Sequence, residues 1–160
     1  MISVSNTVAV NPPGEAVTLT RADVWHGLQL KAENALPFVP AMTRCDVVER
    51  TDDTIIRTIE FRGQELGERI TFTPGSQVRF ERTHGPVLGT ILNELHEDEH
   101  GELLLTFSFE LELAGVEAGS QEEQDYEETM TGDYLKAAES TLAAVRRMVA
   151  EGHPAAHAAG

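Results

Sequence analysis

At 160 residues, with 41% hydrophobic and 24% charged residues, the chain has the size and composition of one globular domain rather than of a disordered segment. Its 12 basic and 27 acidic residues give a formal charge of −15, which excludes nucleic-acid backbones and anionic membrane surfaces as partners. The single cysteine, Cys45, excludes an internal disulfide and points to a reducing compartment, and no apolar run approaches the roughly 18 residues of a membrane span.

The first residues, Met1 to Ser5, lack the basic and apolar regions of a signal peptide, so a cytoplasmic location without membrane insertion is expected. Ile2, Val4, Val8 and Val10 alternate with smaller polar residues, the pattern of a half-buried strand, and Asn11-Pro12-Pro13-Gly14 ends it. Thr20, with an acid three residues on at Asp23, opens a short helix whose Val24, Trp25, Leu28 and Lys31 fall at helical spacing. Leu36-Pro37-Phe38-Val39-Pro40 follows. Two prolines bar regular helix and central strand, leaving an apolar loop suited to covering a cavity mouth, with Phe38 as its largest side chain.

Six strand-like segments come next, at 43–49, 55–62, 65–73, 77–83, 87–96 and 102–113. The turns between them are short enough to force antiparallel hairpins. The last segment is the clearest: Leu103, Leu105, Phe107, Phe109, Leu111 and Leu113 point one way, and Thr106, Ser108, Glu110 and Glu112 the other. Ser120-Gln121-Glu122-Glu123 then reads as a capping box that opens a helix of about 31 residues, on the order of 46 Å long. Tyr126, Met130, Tyr134, Ala137, Thr141, Val145 and Met148 share one of its faces. One domain over 1–152 is predicted, with a frayed tail at 153–160. A long antiparallel sheet with one apolar face, and one long helix available to cover it, is an α+β arrangement.

His96-Glu97-Asp98-Glu99-His100 matches the H-E-x-x-H pattern, but the run lies at a hairpin turn. Extended residues four apart are separated by roughly 13 Å and cannot share a zinc ion, so no metal is expected. His26, His84, His153 and His157 are scattered, and Cys45 has no histidine partner that would make it a nucleophile. Neither a phosphate loop nor a dinucleotide-binding glycine motif is present, so no cofactor is expected. Of the 27 acids, 14 fall between Arg82 and Lys136, where no Lys or Arg occurs; the stretch reads as a solvated face or as a docking surface for a basic protein partner.

The informative polar residues share the apolar parity of their strands. Glu49 falls on the face of Cys45 and Val47, Arg57 on that of Ile55 and Ile59, Glu68 on that of Leu66 and Ile70, Arg82 on that of Phe80, and Asn93 on that of Ile91. Hairpin loops at 52–54, 63–64 and 74–76 set Glu49 opposite Arg57, Arg57 diagonal to Glu68, and Glu68 opposite Arg82. The outcome is a ladder of alternating charge. It serves either as a salt-bridge network at the open rim of the sheet or as the polar end of a ligand cavity.

Several segments carry a family likeness: Ile2-Ser3-Val4-Ser5, Trp25 with Leu28 to Ala32, Phe38-Val39-Pro40 before Cys45, Arg57 through Gly63, Gly85-Pro86, Gly89 to Glu94, and Tyr134-Leu135. Over roughly 1–150 the pattern resembles the START-like (SRPBCC) superfamily. Within it, the chain is similar to the family named after a protein of the fungal acetylaranotin biosynthesis cluster. The resemblance implies a helix-grip fold: a seven-stranded curved antiparallel sheet wrapped around a long C-terminal helix, with a short helix and apolar loop after the first strand. It also implies a deep apolar cavity between sheet and helix. Members of the superfamily include lipid carriers, polyketide cyclases, hormone receptors and chaperone activators. No catalytic residue carries over.

A carrier or sensor for an apolar small molecule is the leading expectation, with Phe38, Arg57, Glu68, Arg82, Asn93, Phe107, Tyr126, Met130 and Tyr134 lining its cavity. A cyclase or dehydratase is the alternative. It would use Arg57 or Arg82 to hold an oxyanion, Glu68 as acid or base, and Tyr126 or Tyr134 as donors. A module docking a basic protein through the acidic stretch is a third. The sequence leaves the oligomeric state open.

Overall fold

The structure, a computed structural model, describes residues 1–152; the predicted tail at 153–160, with His153 and His157, lies outside the described residues. In chain order the elements are β1 (Ile2–Ala9), α1 (Arg21–Glu33), β2 (Met42–Arg50), β3 (Thr54–Phe61), β4 (Gln64–Thr73), β5 (Gln77–His84), β6 (Val87–Glu97), β7 (Leu103–Leu113) and α2 (Gln121–Ala150). The strands form one curved antiparallel sheet in the order β1-β7-β6-β5-β4-β3-β2. The meander from β2 to β7 is ordered by its hairpins, and β1 returns to pair with β7, Ile2 opposite Leu111 and Val8 opposite Leu105. No described helix is long and apolar enough to cross a membrane.

The apolar parity read from β7 is the core: Leu105, Phe107, Phe109 and Leu111 are buried and Glu110 is exposed. α2 lies on the same side and packs against α1, β1 and β7 through Met130, Ala137, Leu142 and Val145. The helices cross closely at Gly27, where a Cβ would stand 2.3 Å from Val145 Cγ2. The two helix starts differ. At α1 the capping box is complete, Thr20 and Asp23 bonding each other's backbone N–H. At α2 only half of the predicted box forms. Ser120 Oγ accepts from Glu123 N–H at 3.2 Å, while the Glu123 carboxylate accepts from Gly119 N–H and from the Met1 amine, both at 3.0 Å.

Two hairpins depart from their predicted registers. The β3–β4 turn is Arg62-Gly63 rather than Gly63-Gln64, with positive φ at both residues (49° and 78°), the backbone a two-residue hairpin favours. Arg62 pairs with Asp133 of α2, which ties the turn to the helix. In β2 the register shifts between Val47 and Glu49, so Val47 rather than Glu49 faces Arg57, and Glu49 is paired with Ile56 and exposed. A one-residue bulge moves the following side chain to the other face, which removes Glu49 from the predicted ladder.

Candidate functional site

Three of the ladder residues meet inside the grip. Arg57 on β3 lies opposite Glu68 on β4, and Glu68 lies opposite Arg82 on β5. All three are buried, with 2%, 2% and 6% of their surface exposed, so the network is interior rather than a set of solvent-exposed ion pairs. Each carboxylate oxygen of Glu68 takes one arginine. Arg57 Nε donates to Oε1 at 2.9 Å, with Nη2 in ion-pair contact with the same oxygen at 2.8 Å, and Arg82 Nε donates to Oε2 at 2.8 Å.

The two arginines are used differently. Arg57 Nη1 donates to the carbonyls of Lys31 and Ala32 at 3.0 and 2.9 Å, satisfying acceptors of the last turn of α1. Its guanidinium is thereby committed to structure. Arg82 Nη2 donates to the Tyr134 hydroxyl at 2.9 Å, while its buried Nη1 has no hydrogen-bond partner among the described residues. Tyr134 packs against Phe61, stacked at a ring separation of 6.2 Å, and against Phe109, tilted at 5.0 Å.

A fourth charge arrives from α1. Lys31 Nζ, buried on the helix's inward stripe, donates to Asn93 Oδ1 at 2.8 Å and lies 5.6 Å from the centre of the Phe80 ring. Burial, reinforced by the Arg57 charge and only partly offset by Glu68, lowers Lys31 to about 8. Burial alone would raise Glu68, but Arg57 and Arg82 outweigh it and hold the carboxyl below its ordinary value. Burial pushes the Tyr134 hydroxyl up to about 12, against the pull of Arg82. At neutral pH the cluster therefore holds three cations, Lys31, Arg57 and Arg82, and one carboxylate.

These groups line a cavity together with Val39, Met42, Phe61, Phe80, Ile91 and Ala137. Its volume is about 30 Å³, not the deep cavity the resemblance implies, because Phe61, Phe80, Met42 and Val39 fill the grip beside the charges. Of the predicted lining residues, the structure brings Arg57, Glu68, Arg82, Asn93 and Tyr134 to this cavity. Phe107 and Met130 are packed core, and Tyr126 is half-buried on α2. Phe38 is buried beside a separate groove of about 400 Å³ between the C-terminal ends of α1 and α2. A hollow of about 640 Å³ on the wet face of the sheet is lined by Ser3, Ser5, Arg79, Thr90 and Glu110 and contains none of the cluster.

Lys31 is the residue that sequence reasoning missed. Its signal was legible: a lysine on the apolar stripe that carries Val24 and Leu28. The H-E-x-x-H run ends β6 and enters the hairpin turn; His96 Nε2 lies 2.7 Å from Thr106 Oγ1 and His100 3.6 Å from its neighbour Glu99. Cys45 is free and half-buried.

Residues 4–152 match the family described as acetylaranotin biosynthesis cluster protein L, and the chain belongs to that family. No protein of curated function matches the sequence. Among solved structures, a START superfamily protein from Mycobacterium smegmatis is similar at TM-score 0.66 and 13% identity, covering 92% of this chain and 99% of that one. The Zhui aromatase/cyclase from Streptomyces sp. R1128 gives 0.63 and 17%, covering 92% and 94%. The di-domain aromatase/cyclase StfQ of the steffimycin biosynthetic pathway gives 0.71 and 9%, covering 94% of this chain and 52% of that one. At these identities the likeness is one of fold, and the fold is the START-like helix grip.

Proposed function

We propose that this member of the acetylaranotin cluster protein L family binds an apolar small molecule between sheet and α2, as a carrier or sensor. The ligand's polar end faces the buried charges gathered around Glu68. The observation that carries the reading is the cluster itself. A buried ion network is commonly matched or exceeded in stability by apolar residues of similar volume, so four buried charges around a residual cavity point to a use beyond folding. The START-like fold supports small-molecule binding, for carriage and cyclisation alike, because solved structures that share it include named aromatase/cyclases.

Ligand cavities commonly measure about 300–1,000 Å³. A cavity of about 30 Å³ admits a whole ligand only if the interior opens. Val39 and Met42 are the lining residues best placed to move. They sit where the Pro37–Pro40 loop enters β2, held by the Met42 N–H to Val39 carbonyl bond at 3.1 Å and the Val39 N–H to Ala35 carbonyl bond at 2.9 Å.

Carriage is favoured over catalysis by the state of Glu68. Both its oxygens are occupied by arginines and its proton affinity is lowered, which makes it a poor general acid or base near pH 7. Native mass spectrometry of the purified chain, alone and after incubation with a panel of fatty acids and aromatic polyketides, tests the reading. One bound apolar molecule per chain, released unchanged, is expected. Conversion of the bound compound would favour the cyclase or dehydratase reading, and no retention of any compound would remove the binding reading.

A further inference from the structure

The charges around the cavity do not balance. Lys31, Arg57 and Arg82 are cationic and buried, and Glu68 is the one carboxylate among them. The nearby buried carboxylate of α2, Asp133, is committed to Arg62, and Asp23 to the cap of α1. Arg57 has each of its nitrogens engaged on Glu68 or on the α1 carbonyls. Two cationic groups remain with donor capacity at the cavity: Arg82 Nη1, buried without a partner among the described residues, and Lys31 Nζ, which can donate three hydrogen bonds and gives one to Asn93. An unpaired buried charge-bearing donor is costly and calls for an acceptor.

The cavity has the size of such an acceptor. About 30 Å³ is room for a small polar group and far less than the roughly 300–1,000 Å³ of a site that holds a whole ligand. Beside the charges, Asn93 and Tyr134, its lining is apolar: Val39, Met42, Phe61, Phe80, Ile91 and Ala137.

We propose that this cavity seats one ionised oxygen group, a carboxylate, between Arg82 Nη1 and Lys31 Nζ, so that the apolar ligand is an organic acid. This rests on the binding reading above and adds the chemical class of the ligand. A monoanion reduces the cluster's net charge from two positive to one and satisfies the orphaned Arg82 donor. A neutral alcohol satisfies the donor but leaves the charge, and an amine adds to it. Arg57 takes no part in recognition and acts as a positioning residue, holding Glu68 and the end of α1.

Isothermal titration of the full chain at pH 7 with octanoate, 1-octanol, octylamine and acetate tests this. Octanoate is expected to bind at least tenfold more tightly than octanol, with octylamine weakest and acetate competing with octanoate. In Lys31→Met, octanoate affinity should fall about tenfold while octanol affinity is unchanged. The wild-type series decides the matter on its own if that variant does not fold. Equal affinity for octanoate and octanol would overturn the carboxylate seat and leave apolar binding standing. Octanoate binding no tighter than acetate would support the seat and overturn the apolar-ligand reading. Absence of any octanoate binding would overturn the seat.

Discussion

Glu68 is the residue on which the interior charges depend. It lies between two arginines at 2.8–2.9 Å, and removing its charge leaves Arg57, Arg82 and Lys31 buried together without a counter-ion. Glu68→Gln should therefore destabilise the chain by about 3–5 kcal/mol in urea unfolding, the usual cost of breaking a buried pair from one side. Arg57→Ala should cost a similar amount, since it also strips the Lys31 and Ala32 carbonyls of their donor. The double variant should cost less than the sum, and a strictly additive cycle would show the two residues to be uncoupled.

Lys31 supplies a pH signature. Its folded value is about 8 against 10.5 for the free side chain, so between those values the unfolded chain binds more protons and stability rises with pH. The penalty for burying the charged amine is fully present below pH 8 and gone above 10.5. Between pH 8 and 10 the wild type should gain about 2–3 kcal/mol relative to Lys31→Met, read as the difference between their urea midpoints. Parallel pH curves for the two proteins would place the amine in water.

At the scale of elements, β7 shows why the core was readable and the site only in part. From Leu105 to Leu113 apolar residues alternate with polar ones, and that period alone assigns its faces. Leu111→Asp or Phe107→Asp should abolish cooperative thermal unfolding, whereas Glu110→Lys should melt within a few degrees of wild type. The reverse ranking would invert the strand. The Arg57–Glu68–Arg82 grouping was legible for the same reason, and it survived a misplaced turn. Taking Gly63-Gln64 instead of Arg62-Gly63 shifts the β3–β4 register by two, which preserves the faces.

The bulge in β2 shifts it by one, which does not preserve them, and nothing in Val47-Val48-Glu49 announces it. The cavity's size was illegible for a different reason. It depends on the rotamers of Met42, Phe61 and Phe80 from three strands, and a periodic pattern carries no rotamers.

At the scale of the whole molecule, the helix grip sets a long helix across a sheet and fills the space between them with small residues on α2 and large ones on the strands. Ala137, Ala138, Thr141 and Ala144 are the buried small residues of α2, and Ala137 is the one that lines the cavity. A larger side chain there occupies the space a ligand would enter while leaving every charge of the cluster in place, at a packing cost of about 1–3 kcal/mol.

Binding inside the grip is therefore tested most directly by titrating wild type and Ala137→Leu with a polarity-sensitive apolar dye and following its fluorescence. Wild type should saturate at one dye per chain, and Ala137→Leu should bind at least tenfold more weakly while retaining a single cooperative melt. Equal affinity in the two proteins would place the dye on the surface and contradict an interior ligand site.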